Sequence, residues 1–570
     1  MLFTDLSQYT DAKLTCGYSS KNNWQKVDYL ADDISGTMLF ANECCFPEPL
    51  ELNLGVQGKF DVYLCIAPIC GANTLLEVKL ANAKFKTTVT PSDLQFVRGN
   101  LRWQSYEYAE EVYLGAFDLT NESIIINKPS QFQGPVNRTP LSSALLYIRL
   151  ENHVAEHEGA NQIIQYHFDC DFVGEIDAFT AEDYLGRFEM AAQRNCDAMI
   201  TEVMFDDLQP QVAVYHRQYY EKFNAGFAQY QKFNAEIKKK LVDLKKQHNF
   251  KLYGGYRMGA GNFVIPYSPF LFIDDFEQFP DSHCVQRNGK PAAFLSYAYP
   301  EVRQMMIRRI LANLPSDFDG VSLFFHRCPA IALFEKPVCD QVKNLYGIDA
   351  RLLPFADPRL HAVIGSYGTM FLRELKLALD TKKPGGYKIN VILFYDVESS
   401  KQFGYDVETW LQEGLVHSVS QGLMKYYEDT SDLLHQNGQI DLDKYYQKEK
   451  FYPVIKRIYS GDLDLILPGA LGFKKLCDRY NVDFYGALPW ESNANEDFFD
   501  IAQALRAHGI QKLICWNGNH IIKRLSKLEA VKMCGDAQPT FDLRQMRRRT
   551  LRITNLDGRD FSEFDINWKG

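Results

Sequence analysis

Carboxylates recur in this sequence where apolar runs end. HFDCDF carries Asp169 and Asp171, AMITEV closes on Glu202, FYDVESS holds Asp396 and Glu398, and VDFYGALPW is followed by Glu491. Two carboxyl groups on either side of a bond, one protonated and one ionised, perform general acid–base chemistry. A carboxyl at the end of an apolar run is partly desolvated, which favours its protonated form and suits Glu202 to proton donation. A salt bridge to Arg257 is the competing arrangement for Glu202, a helix cap for Asp396 and Glu398, and a loop cap for Glu491. Asp169 and Asp171 share a side if their strand persists, and with His167 they give an HxD spacing that admits a metal ion.

A second set is cationic or flat. Arg257 ends FKLYGGYR, and FDGVSLFFHRCP delivers His326 and Arg327 after an apolar run. Such groups hold neighbouring carboxylates ionised, or recognise an anion by charge-assisted hydrogen bonds. For His326 a satisfied core position is the alternative. Trp490 and Trp516 offer faces for a ring-shaped ligand, and Asn517 and Asn519 suit hydroxyl recognition, with a turn through Gly518 as the other account.

These residues need a scaffold that brings strand ends together. From Asn161 onward strand-like runs alternate with helical patterns. Phe223, Phe227, Tyr230, Phe233, Ile237, Leu241 and Leu244 make one helical face, and Pro300 opens another helix with Val302, Met306, Ile310 and Leu314 inward. Such alternation implies parallel pairing through helical crossovers, for which an eight-stranded barrel is the closed form. Nine runs compete for eight places; Leu415–Ser420 and Asp464–Leu467 are the weakest. Tyr426–Lys450 reads as an insertion over the mouth.

Before Asn161, short strand-like runs separated by turn residues predict an antiparallel β-sandwich. The predicted fold is α/β: a (β/α)8 TIM barrel over 158–525 after a β-sandwich over 1–157. A short C-terminal extension over 526–570 holds RRRTLRITNLDGRD, a terminal strand with a basic rim docked on an acidic surface of its own chain.

Composition sets bounds. The 570 residues exceed a single core. A net charge of −10 argues against a protein that grips nucleic acid by neutralising phosphates. The thirteen Cys include no CxxC pair and fit reduced, buried thiols in a cytoplasmic protein. Met1–Asp11 lacks a basic start and an apolar h-region, and no run is long enough for a membrane span, so neither a secretory leader nor a membrane partner is expected.

LSYAYPEVRQMMIRRIL followed by DFDGVSLFFHRCP, then YDVETWLQEGLV, then ALRAHGIQKLICWNGNH occur in an order that resembles the family 10-like glycosyl hydrolases. The resemblance spans roughly Asn161 to His520 and implies a (β/α)8 barrel acting on, or binding, a carbohydrate. Arg327 matches the family pattern. The carboxylate that commonly precedes it is replaced here, where Ser322, Phe324 and Phe325 stand.

The resemblance thus implies a glycosidase whose carboxylate pair lies at the C-terminal mouth, where barrel strands place catalytic groups. Glu491 is the expected nucleophile or base and Glu202 or Asp396 the expected general acid. Asp169, Asp171, Arg257, His326, Arg327, Glu398, Trp490, Trp516, Asn517 and Asn519 are expected to bind substrate, acidic or sulfated sugars included. No cofactor or metal is expected. A non-catalytic carbohydrate-binding barrel and a metal-dependent hydrolase built on His167, Asp169 and Asp171 are the alternatives.

Overall fold

The computed structural model describes residues 1–18, 20–42, 45–67, 73–74, 76–82, 87–89, 108–128, 141–153, 163–168, 188–192, 195–202, 211–212, 236–260, 270–271, 273–326, 328, 330–427, 433–447, 454–457, 463–490, 495–516, 518, 531, 534 and 548–555.

Eight short apolar runs pair in parallel and close on themselves. They are β1 (Ile164–Phe168), β2 (Cys196–Glu202), β3 (Lys251–Arg257), β4 (Gly320–Phe324), β5 (Lys388–Ile392), β6 (Ser418–Ser420), β7 (Asp483–Ala487) and β8 (Lys512–Cys515). The ring closes where Ile164, Gln165 and Tyr166 pair with Leu513, Ile514 and Cys515. Nearly every strand residue is buried, as expected when helices cover the outer face.

Helices stand between the later strands, among them α1 (Pro300–Asn313), α2 (Lys336–Tyr346), α3 (Pro358–Lys382), α4 (Val397–Gln402), α5 (Val407–Gln412), α6 (Leu463–Tyr480) and α7 (Asn495–Ala507). Val302, Met306 and Ile310 face inward from α1, one per turn. Asp319, of the Asp-Gly pair that opens β4, accepts from the Leu252 amide at 2.8 Å and from Lys245 at 2.8 Å, which fixes β4 beside β3.

Leu415–Ser420 contributes β6, whereas Asp464–Leu467 belongs to α6. Ile466, Ala470, Phe473 and Cys477 are buried at helical spacing, and Pro468 lies inside the helix. The expected insertion, Tyr426–Lys450, is bracketed by an antiparallel pair of Met424–Tyr427 with Val454–Arg457, and a short helix covers Leu442–Gln447 within it.

The N-terminal region is made of antiparallel sheets. One four-stranded sheet joins Leu50–Leu52, Ile124–Asn127, Leu76–Leu80 and Thr87–Val89. The larger sheet closes instead of ending at two edges. Leu141–Asn152, Ile34–Ala41, Trp24–Ala31, Arg548–Asn555, Tyr108–Asp118 and Lys59–Ile66 pair in that order, and Lys59–Ile66 returns to Leu141–Asn152. Val27, Met38, Cys65, Ala109, Tyr147 and Leu551 join in one buried cluster drawn from all six strands.

One of those six comes from the far end of the chain. Arg548–Asn555 fills the place between Tyr108–Asp118 and Trp24–Ala31. Arg549 donates to the Tyr147 hydroxyl at 2.6 Å and lies 3.6 Å from Asp32, Asp33 and Glu111. No described helix is long and apolar enough to cross a membrane.

Candidate functional site

The C-terminal ends of the barrel strands carry rings that meet across the interior. His167 of β1 lies 4.8 Å from Phe324 of β4, nearly perpendicular, and 5.0 Å from Trp516, which directly follows β8. His326, two residues beyond β4, lies 4.3 Å from Trp516. Strands β1 and β4 are not neighbours, nor are β4 and β8, so two of these contacts bridge the bore rather than adjacent strands. All four side chains are buried.

Small residues make room for them. A Cβ at Gly255 would come within 2.9 Å of Ile200 Cγ2 and collide with the Phe324 ring. One at Gly422 would come within 2.9 Å of His326 Cβ. Gln421 then fixes the rim: its Nε2 donates to the carbonyls of Tyr395 and Ile466 at 2.9 and 3.0 Å, and its Oε1 accepts from the Ala487 amide at 3.0 Å. Its own carbonyl accepts from Trp516 Nε1 at 3.2 Å, which orients the indole.

Beside these rings lies a buried ion pair. Arg257, at the end of β3, grips both oxygens of Glu202, at the end of β2, through Nε and Nη2. The side chains are 6 % and 1 % exposed, so this pair is shielded from solvent. A carboxylate held by a guanidinium fork is an acceptor with a fixed orientation. Cys328 follows His326, and burial pushes its thiol up to about 12, which leaves it inert as a nucleophile.

Asp396 is the N-cap of α4: its carboxylate accepts from the Ser399 amide at 2.6 Å. The neighbouring Tyr395 hydroxyl is pushed well above the usual phenol range by burial and by its hydrogen bond to Asp396. Glu398 is exposed in the first turn of α4. Trp490 is partly buried three residues beyond β7 and packs against the core.

The structure therefore gathers Glu202, Arg257, His326 and Trp516 at one end of the barrel and sets Asp396 and Glu398 on the helix after β5. Glu491, Asp169, Asp171, Arg327, Asn517 and Asn519 lie outside the described residues. Among the described residues, no three His, Cys, Asp or Glu side chains converge to hold a metal ion.

Sequence reasoning missed the polar side chains inside the bore, Gln165, Ser322, Asn390, Ser418 and Ser420, and the rim residue Gln421. Gln165 shares its parity with His167 in IQYHF, and that alternation was the available signal. Gln421 is a single polar residue after VS in HSVSQG, with nothing to distinguish it from a loop.

No family model matches the sequence, and no curated protein matches it. Among solved structures, the chain is similar to TtGalA, an alpha-galactosidase from Thermus thermophilus, at 11% identity over 86% of this chain and 90% of that one, with a TM-score of 0.31. It is also similar to the catalytic domain of beta-amylase from Paenibacillus polymyxa, at 9% identity over 65% of this chain and 97% of that one, TM-score 0.35. A ruminal GH26 endo-beta-1,4-mannanase gives 8% identity over 87% and 90%, TM-score 0.31. These likenesses carry no chemical argument, and the site rests on its own residues.

Proposed function

We propose that this protein is a glycoside hydrolase that cleaves an oligo- or polysaccharide at the C-terminal mouth of its barrel. The observation that carries the reading is the ring cluster of His167, Phe324, His326 and Trp516 beside the buried Arg257–Glu202 pair, at the end of the barrel where such folds place their chemistry. Flat rings and a fixed, charged hydrogen-bonding pair are the two components of sugar recognition: stacking on ring faces and directional bonds to hydroxyls.

In this proposal Glu491, four residues beyond the last residue of β7, is the nucleophile or base. Glu202, held by Arg257, positions substrate, Asp396 supplies the acid, and Asp169 and Asp171 bind substrate. Arg327 and His326 would favour an acidic or sulfated sugar.

The full-length protein is incubated with a panel of plant, bacterial and sulfated polysaccharides, and reducing ends are measured with and without Glu491→Gln. Release of product by the native chain and loss of nearly all of it in the variant support the assignment. Retained turnover removes Glu491 from the mechanism.

A second reading, a non-catalytic carbohydrate-binding barrel, draws on one observation. Both described candidates for the acid are already engaged, Glu202 by Arg257 and Asp396 by the start of α4. Binding of a panel glycan with no product favours it. Neither binding nor product overturns the carbohydrate reading altogether.

A further inference from the structure

Below the rings the bore is polar where barrels ordinarily place branched aliphatic residues. Gln165 of β1, Ser322 of β4, Asn390 of β5 and Ser418 and Ser420 of β6 are all buried. Asn390 Nδ2 donates to Ser322 Oγ at 2.7 Å, and Ser418 Oγ donates to Asn390 Oδ1 at 2.7 Å. Ser420 Oγ lies 2.6 Å from Gln165 Oε1 and 3.1 Å from Asn390 Oδ1. The contact between β1 and β6 again spans non-neighbouring strands, so these groups face one another inside the barrel.

The protons of this layer can be counted. The Ser420 hydroxyl carries one, so it serves either Gln165 or Asn390 and not both. If the Gln165 amide is turned over, its Nε2 donates to Ser420 Oγ, and the Ser420 proton goes to Asn390. Which way an amide faces is decided by such networks. In either setting one amide atom of Gln165 meets Ser420 and the other is left over. As the side chain stands, Nε2 is fully buried and makes no hydrogen bond to a described residue. A buried amide atom left unmet is strongly disfavoured in a layer of otherwise joined polar groups.

We propose that the second amide atom of Gln165 marks a binding position for one O–H group inside the barrel. A hydroxyl both donates and accepts, so it completes either setting of the amide, which neither a carboxylate nor an ammonium group does. Two sources share this chemistry: an enclosed water molecule, or a hydroxyl of a sugar held at the mouth. The second source rests on the proposed carbohydrate function, and the first does not.

Crystals of the full-length protein at atomic resolution, alone and soaked in turn with xylohexaose, mannohexaose and cellohexaose, test the position. The expected result is an oxygen about 2.7–3.2 Å from the outer amide atom of Gln165. An oxygen present without sugar and unchanged by soaking is an enclosed water, and the position stands even if no glycan binds. An oxygen that belongs to a sugar makes Gln165 a substrate-binding residue, and Gln165→Met then lowers kcat/KM at least tenfold. A dry interior, or an amide turned onto another protein group, overturns the proposal. Ser420→Ala supplies a second check: with the inner partner gone, a second oxygen is expected beside Gln165, and an apolar void there instead counts against it.

Discussion

At the N-terminal end of the barrel, Asp197, Lys251, Asp483 and Lys512 form a chain of ion pairs at 2.6–3.7 Å whose side chains are 14–45 % exposed. At the opposite end Arg257 and Glu202 form one pair that is almost wholly buried. The lower charges keep their water, and each has more than one partner, so the loss of one leaves the rest solvated. The upper pair has given up its water, so the hydrogen bonds between its members are not shared with solvent. Two charges enclosed at the upper end cost desolvation that the lower charges do not incur.

The comparison is broken most severely by Arg257→Met, which takes the guanidinium away from the buried Glu202 carboxylate. A loss of about 3–5 kcal/mol is expected in urea unfolding, and Arg257→Met with Glu202→Leu should recover most of it. If the single variant unfolds like the native chain, the upper pair is not buried as described.

Gly255→Ala comes next, because the added methyl collides with Phe324. About 1–3 kcal/mol should be lost, with a change in tryptophan fluorescence as the ring cluster around Trp516 shifts; Gly17→Ala, where an added Cβ meets nothing within 4 Å, controls for the substitution. Asp396→Ala removes the cap of α4 and should lower stability by about 1 kcal/mol. If activity falls far beyond what that loss explains, Asp396 has a chemical part as well.

Lys512→Met at the lower end should change stability by no more than about 1 kcal/mol, and the change should shrink in high salt.

The lower end should also be the acid-sensitive one. His417 Nδ1 accepts from the Ile389 amide at 3.2 Å, which requires the neutral ring. Burial, followed by Lys376 and Lys388, holds the His417 imidazole below its ordinary value of 6.5. A depressed folded value means that this contribution to stability is complete above about pH 6.5 and is lost as pH falls through the lower folded value. The protection of the Ile389 amide from hydrogen exchange, taken relative to the intrinsic rate at each pH, should therefore fall between pH 7 and 5, and His417→Asn should flatten that response.

Much of the barrel was legible because buried parallel strands read as continuous apolar runs, as in GVSLF and KINVI. Asp464–Leu467 misled because a short apolar run beginning a helix looks the same as a buried strand until its buried positions are followed for three turns. Most N-terminal strands were visible, Trp24–Ala31 excepted, but their closure was not. Pairing between Arg548–Asn555 and Trp24–Ala31 joins opposite ends of the sequence, and alternation within a strand says nothing about its distant partner. At the site, the salt bridge of Glu202 and the cap by Asp396 were among the stated alternatives. Their choice over freer roles depends on distances, and spacing alone does not carry distances.

The strand Arg548–Asn555 also sets an order of events during synthesis. Its two neighbours, Trp24–Ala31 and Tyr108–Asp118, leave the ribosome long before it does. At roughly 5–20 residues per second the wait between Asp118 and Asn555 is on the order of 20–90 s. For that interval both neighbours expose unpaired edges of the kind that recruit strands from other chains. A newborn molecule must therefore keep a gap open while its entire barrel is made, and that gap is where a chaperone would be needed first.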